Sequence, residues 1–152
     1  AFCRRNDMKS SLSLRAWRQR FPTLALPTTA SFTGFWAASF VGPFWLVASA
    51  PSAINLAGLP GWRGKRFLSN TSAINVLASG DERLLMQVTV MPSLFDGQPT
   101  LVCTYGSEAP WPWRFVRDEF REMSPNEWLG MTVLDVPGLR SMGWPFVLKR
   151  EQ

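Results

Sequence analysis

Between Arg20 and Arg63 the chain carries no charged residue, and that stretch holds Gly34, Phe35, Trp36, Phe40, Phe44 and Trp45 among scattered Gly, Pro, Ser and Thr. A run so free of charge belongs either in a membrane or in the densest part of a core. A transmembrane helix needs about 20 predominantly apolar residues. The best window, residues 35–54, is broken near its middle by Gly42-Pro43 and also contains Ser39, Ser49, Pro51 and Ser52. Proline there removes a backbone donor and disfavours helical geometry at the residue before it. A secretory signal cleaved after Ala48-x-Ala50 would place its charged region far from a Pro-broken apolar core. Two aromatic strands separated by a turn at Gly42-Pro43 fit the window better.

At 152 residues the chain suits one domain with a core that needs no disulfide or metal support. It has no histidine, which removes Ser-His-Asp and Cys-His nucleophile activation, axial imidazole ligation of haem and the histidine-dependent zinc and iron sites. Cys3 and Cys103 lie far apart and read as two idle or buried thiols. The net charge of +5 resides in residues 1–20, which hold six basic residues against Asp7; the remainder has ten of each sign. A neutral body with a basic tail lacks the continuous positive stripe that tracks a phosphate backbone, so no nucleic-acid partner is expected.

Residues 1–30 read as a basic, disordered leader. Met8-Lys9-Ser10-Ser11 has the form of an ordinary start, so residues 1–7 suit upstream translation or a fragment edge. The acid-free, Ser- and Arg-bearing run from Met8 also suits organellar targeting; otherwise the cytoplasm is the expected compartment. Leu12, Leu14, Trp17 and Phe21 among the arginines allow a weak contact with an anionic membrane surface.

From residue 31 to 152 turn signals come quickly, among them Gly58-Leu59-Pro60-Gly61, Ser79-Gly80-Asp81, Asp96-Gly97, Ser124-Pro125-Asn126 and Pro137-Gly138. Short apolar runs between such turns are the mark of antiparallel strands. The clearest pair is residues 84–91 and 100–105, the second placing Leu101, Cys103 and Tyr105 on one face. Further strands are expected from Lys65, over 128–136 and over 145–150, while 113–123 suits helix and strand equally. Ser52-Ala53-Ile54-Asn55-Leu56 recurs as Ser72-Ala73-Ile74-Asn75-Val76, which two copies do not make into a repeat architecture.

Gly58 to Arg66 suggests a phosphate loop, but Leu59 and Arg66 occupy positions where that motif needs Gly and Ser or Thr. A tight turn entering a strand is the better reading. In Ala109-Pro110-Trp111-Pro112-Trp113 the prolines favour an extended backbone, so Trp111 and Trp113 can project together as the floor of an apolar pocket or the plug of a barrel end. Arg117, Asp118, Glu119 and Arg121 form either a solvated salt-bridge face or a buried network that orients a polar ligand group. An enzyme would use Asp118 or Glu119 as a desolvated base facing Tyr105, the only tyrosine.

Gly34-Phe35-Trp36 resembles the G-x-W of the lipocalin-like (calycin) barrels. Gly61-Trp62-Arg63-Gly64, with Leu129-Gly130-Met131 and Phe146 to Arg150, is similar to an uncharacterised bacterial family named for a G-x-W-x-G motif. The resemblance spans Gly34 to Arg150. It implies that Trp36 closes the barrel base beneath a basic residue, Arg150 or Arg140, and that the barrel holds a small apolar molecule.

The expectation is therefore a mainly β protein, an antiparallel β-barrel or strongly curved sheet of lipocalin-like form with at most one short helix. Its expected role is a non-enzymatic carrier or sensor of a small apolar or amphipathic ligand, without cofactor or metal. Trp36, Trp45, Tyr105, Trp111, Trp113 and Arg117 are the candidate contacts. The alternative is a cofactor-free isomerase or hydratase using a buried carboxylate and Tyr105.

Overall fold

The computed structural model describes residues 12–151. Cys3, the possible start at Met8 and the reading of residues 1–7 lie outside the described residues. Eight antiparallel strands run β1 (Gly34–Phe40), β2 (Trp62–Phe67), β3 (Ser72–Leu77), β4 (Glu82–Pro92), β5 (Pro99–Tyr105), β6 (Val116–Ser124), β7 (Glu127–Leu134) and β8 (Trp144–Arg150). Each pairs with the next, and β8 returns to β1 with Trp36 opposite Arg150 and Phe40 opposite Phe146, so the sheet closes into a barrel. Closure leaves no unpaired edge, which settles the choice between barrel and curved sheet. Among the described residues two α-helices accompany it, α1 (Leu14–Arg20) and α2 (Phe44–Leu56), one more than the sequence suggests.

Alternation places the core as read. Leu101, Cys103 and Tyr105 of β5 point inward, and so do Asp118 and Phe120 of β6 and Trp128 of β7. The ambiguous run 113–123 resolves into a short 3-10 turn over Trp113–Phe115 followed by β6. At the end of the barrel reached by the start of β1, Trp36 and Trp128 stack with ring centroids 4.0 Å apart, ringed by Phe32, Phe67 and Phe120. Trp36 Nε1 donates to the Phe32 carbonyl at 2.8 Å. Arg150 lies 5.3 Å over the Trp36 ring and donates to the carbonyls of Ser31 and Thr33, whereas Arg140 pairs with Asp135 at the surface. Gly64, at φ +155, lets β2 meet β1 closely: a Cβ there would stand 2.1 Å from the Trp36 carbonyl oxygen.

Two expectations are corrected. Residues 12–30 do not stand apart from a domain beginning at 31. Trp17 of α1 and the following Phe21 are buried against Leu129, Met131 and Val147 on the outer face of β7 and β8. Those strands are apolar on both faces, so the barrel requires a second layer outside, and the segment supplies it. Ala25 bridges Glu122, and Arg121 of β6 donates to the Phe21 carbonyl while gripping Asp96 at 2.6 Å. Trp17 and Phe21, two of the four side chains assigned to a membrane contact, are thereby turned inward.

The second correction concerns the aromatic window, where a strand is followed by a helix rather than by a second strand. Gly42 at φ +120 and Pro43 make the turn, and Pro43 occupies the N-cap of α2. Proline is tolerated at a helix start, but Pro51 lies inside α2 and deletes one of its hydrogen bonds. No residue of α2 is fully buried, and no helix among the described residues is long and apolar enough to cross a membrane.

Candidate functional site

The opposite end of the barrel holds a polar cluster that begins with a bulge. In β2 the register shifts between Trp62 and Gly64, so Trp62 and Lys65, three residues apart, both face inward. Asn75 of β3, Tyr105 of β5 and Asp118 of β6 meet them from the neighbouring strands. Lys65 Nζ lies 2.9 Å from Asp118 Oδ2, 3.2 Å from Asn75 Oδ1, 3.1 Å from Met86 Sδ and 3.5 Å from the Tyr105 hydroxyl. Asn75 Oδ1 also accepts from Trp62 Nε1 at 3.0 Å, and its Nδ2 donates to the Tyr105 oxygen at 2.9 Å. Thr132 of β7 donates to Asp118 Oδ1 at 2.9 Å. Lys65 and Asn75 are almost fully buried.

Burial by itself would push the Lys65 ammonium down, yet the Asp118 carboxylate, aided by Tyr105 and Cys103, holds it above the ordinary lysine value. Burial pushes the Tyr105 phenol up to about 12, with Lys65 opposing the shift. The Cys103 thiol rises to about 12 for the same principal reason, so it remains a protonated, buried thiol at neutral pH.

Above the cluster lies a cavity of about 390 Å³, within the size range of small-molecule sites. Its walls are largely aromatic, with Phe40, Trp62 and Phe146 from the barrel strands, Trp113 from the 3-10 turn before β6, Trp144 at the rim and Trp45 from α2. Helix α2 crosses this end of the barrel and contributes Leu46, Ala50, Ala53 and Ile54 to the lining. It is held at its C-terminal side by Trp113 Nε1, which donates to the Ala57 carbonyl at 2.6 Å, and at its N-terminal side by the edge contact of Trp45 with Trp144.

Of the six candidate contacts, the structure brings Trp45, Tyr105 and Trp113 to this cavity. Trp36 lies in the packed base, and Trp111 is 72% exposed instead of sharing the inward direction of Trp113. Arg117 faces outward, where it pairs with Glu119 at 3.1 Å and donates to the Pro92 carbonyl. The four charges of β6 thus split: Asp118 enters the cavity, while Arg117, Glu119 and Arg121 form the buried outer network. Lys65 and Asn75 escaped the sequence reading. Lys65 stands where the sequence reads as a turn entering a strand, and Asn75 belongs to the pentapeptide repeated twenty residues apart, whose copies fold as helix and strand. Among the described residues no group of three or more Cys, Asp or Glu is placed to hold a metal.

No protein-family model matches the sequence, and no curated protein matches it. A crystal structure of a protein from Thermomonospora curvata is similar over 90% of this chain and 99% of that one, with 17% identity and a TM-score of 0.57. At that identity the likeness is one of fold: the eight-stranded barrel is shared with a solved protein, and the chemistry inside it has to be read from the side chains of this chain.

Proposed function

We propose that this barrel is a non-enzymatic binding protein, a carrier or sensor, for a small apolar or amphipathic molecule held beneath α2. The observation that carries the reading is the pairing of an aromatic-walled cavity with one compact polar cluster at its inner end. Apolar walls supply affinity, and a few fixed polar groups supply orientation. Trp45, Trp113 and Tyr105 are the proposed contacts from the original six, joined by Trp62 and Trp144; Trp36, Trp111 and Arg117 line no part of the cavity. Four of the eight tryptophans line it, so titration with retinoids, tetrapyrroles or fatty acids followed by indole emission is the direct assay. Saturable quenching is expected. Emission unmoved by every apolar compound would remove the reading.

The second reading, a cofactor-free isomerase or hydratase, draws on Asp118 and Tyr105 lining the same cavity. Its base would have to act while Lys65 and Thr132 hold both carboxylate oxygens, which favours binding over proton abstraction. Glu119 takes no part, since it lies in the outer network. Incubating the protein with cyclic ketones in deuterated water tests it: α-proton exchange that Asp118→Asn abolishes would establish the enzyme, and no exchange above buffer would dismiss it.

A further inference from the structure

We infer that the ligand is an uncharged molecule presenting an oxygen acceptor, a carbonyl above all, to the Tyr105 hydroxyl at the inner end of the cavity. This deepens the binding-protein reading and rests on it. The first support is charge. Among the described residues Lys65 and Asp118 are the only ionisable acid and base lining the cavity besides the phenol itself, and they pair with each other at 2.9 Å. A ligand carboxylate would surrender its hydration and find the one ammonium already neutralised and surrounded by Asp118, Asn75, Met86 and Tyr105. A ligand ammonium would meet Asp118 in the same condition, with Lys65 on one oxygen and Thr132 on the other.

The second support is hydrogen-bond bookkeeping around Tyr105. Its oxygen accepts from Asn75 Nδ2 at 2.9 Å and faces Lys65 Nζ at 3.5 Å, and both neighbours are donors. The Asn75 amide is fixed in that orientation, because its oxygen is claimed by Trp62 Nε1 and Lys65 Nζ. The phenolic hydrogen therefore has no acceptor among the described residues, while the ring lies in the cavity lining. Of the cluster's hydrogen-bond donors, this hydrogen and the second amide hydrogen of Asn75 are the ones left among the described residues to address a guest. Burial, which raises the phenol to about 12, keeps the phenolic hydrogen in place across the neutral range. An oxygen acceptor is what completes the cluster, and an apolar guest leaves it incomplete.

Three probes of matched shape separate the possibilities: 2-acetylnaphthalene, 2-ethylnaphthalene and 2-naphthoate, each titrated against the full chain by indole emission and calorimetry. The ketone is expected to bind about tenfold tighter than the hydrocarbon, the scale of one net hydrogen bond, and the carboxylate weakest of the three. Tyr105→Phe should remove the advantage of the ketone over the hydrocarbon. Independently of that variant, the infrared carbonyl stretch of 2-acetylnaphthalene should fall to lower frequency on binding than in hydrocarbon solvent. Equal binding of ketone and hydrocarbon, an unshifted carbonyl band, or tightest binding of the carboxylate would overturn the inference while leaving a binding cavity. Failure of all three probes to bind would overturn the cavity reading with it.

Discussion

The two ends of this barrel are built from similar aromatic residues and do opposite things. At the base, Trp36 and Trp128 stack, three phenylalanines close around them and Arg150 covers the plug. At the mouth, Trp62, Trp113, Trp144 and Trp45 stand around a cavity, only Trp45 and Trp144 of them meeting edge to face, and a charged cluster replaces the stacked pair beneath them. The covers differ too. Residues 12–30 bury Trp17 and Phe21 on the outer wall, whereas α2 buries none of its residues fully and leaves Phe44 87% and Leu56 91% exposed. Tight packing is what fixes a single structure, and weakly anchored segments are where opening is least costly. The base reads as scaffold, the mouth as the entry for the proposed guest.

The largest effect expected from that contrast is mutational. Trp128→Ala should cost about 3–5 kcal/mol by urea denaturation, as large-to-small changes in packed cores do. Trp45→Ala, at a side chain 56% exposed, should cost under about 1 kcal/mol. Comparable losses at the two positions would erase the distinction.

Next in size is the ion pair. Lys65→Met strands a buried carboxylate and should cost about 3–5 kcal/mol, whereas adding Asp118→Leu should restore most of the loss, because the unpaired charge and not the missing pair is the expensive state. A double variant no more stable than the single would mean that the pair itself holds the barrel together.

Asp96→Asn at the outer network should cost about 1–2 kcal/mol. The Arg121 hydrogen bond holds the Asp96 carboxyl below its ordinary value, so its contribution is present above the unfolded pKa and is lost as pH falls through the folded one. The variant should therefore flatten the acid limb of the stability profile. An unchanged limb would place the acid sensitivity elsewhere.

The smallest effect is spectroscopic and leaves neutral stability untouched. Tyr105 is the only tyrosine, so absorbance near the tyrosinate band titrates one group, expected at about 12 instead of 10. A phenol raised on folding favours the native state least where the unfolded chain ionises first, so stability should decline as pH climbs through that interval. Titration at the ordinary value would mean that the mouth is wetter than the geometry implies.

Much of this architecture was legible because period-two alternation and turn chemistry are local. Leu101, Cys103 and Tyr105 share a face by spacing alone, and Ser124-Pro125-Asn126 marks the turn that leads into β7. The cluster was less legible because a bulge breaks the alternation that would have related Trp62 to Lys65. Helix α2 was hidden by Gly42-Pro43 and Pro51, residues that argue against helix locally, although the pair serves here as its entry and Pro51 lies within it. The outer layer was hidden by composition: arginines among serines resemble a tail, while Trp17 and Phe21, the residues that bury, are sparse.

The contrast between a solid base and a hollow mouth can be read from the indole N–H resonances of the eight tryptophans during titration with 2-acetylnaphthalene. The account predicts that Trp45, Trp62, Trp113 and Trp144 shift with one common binding curve while Trp17, Trp36 and Trp128 stay still. Shifts at Trp36 and Trp128, or stillness at all four mouth indoles while the ligand binds, would contradict it.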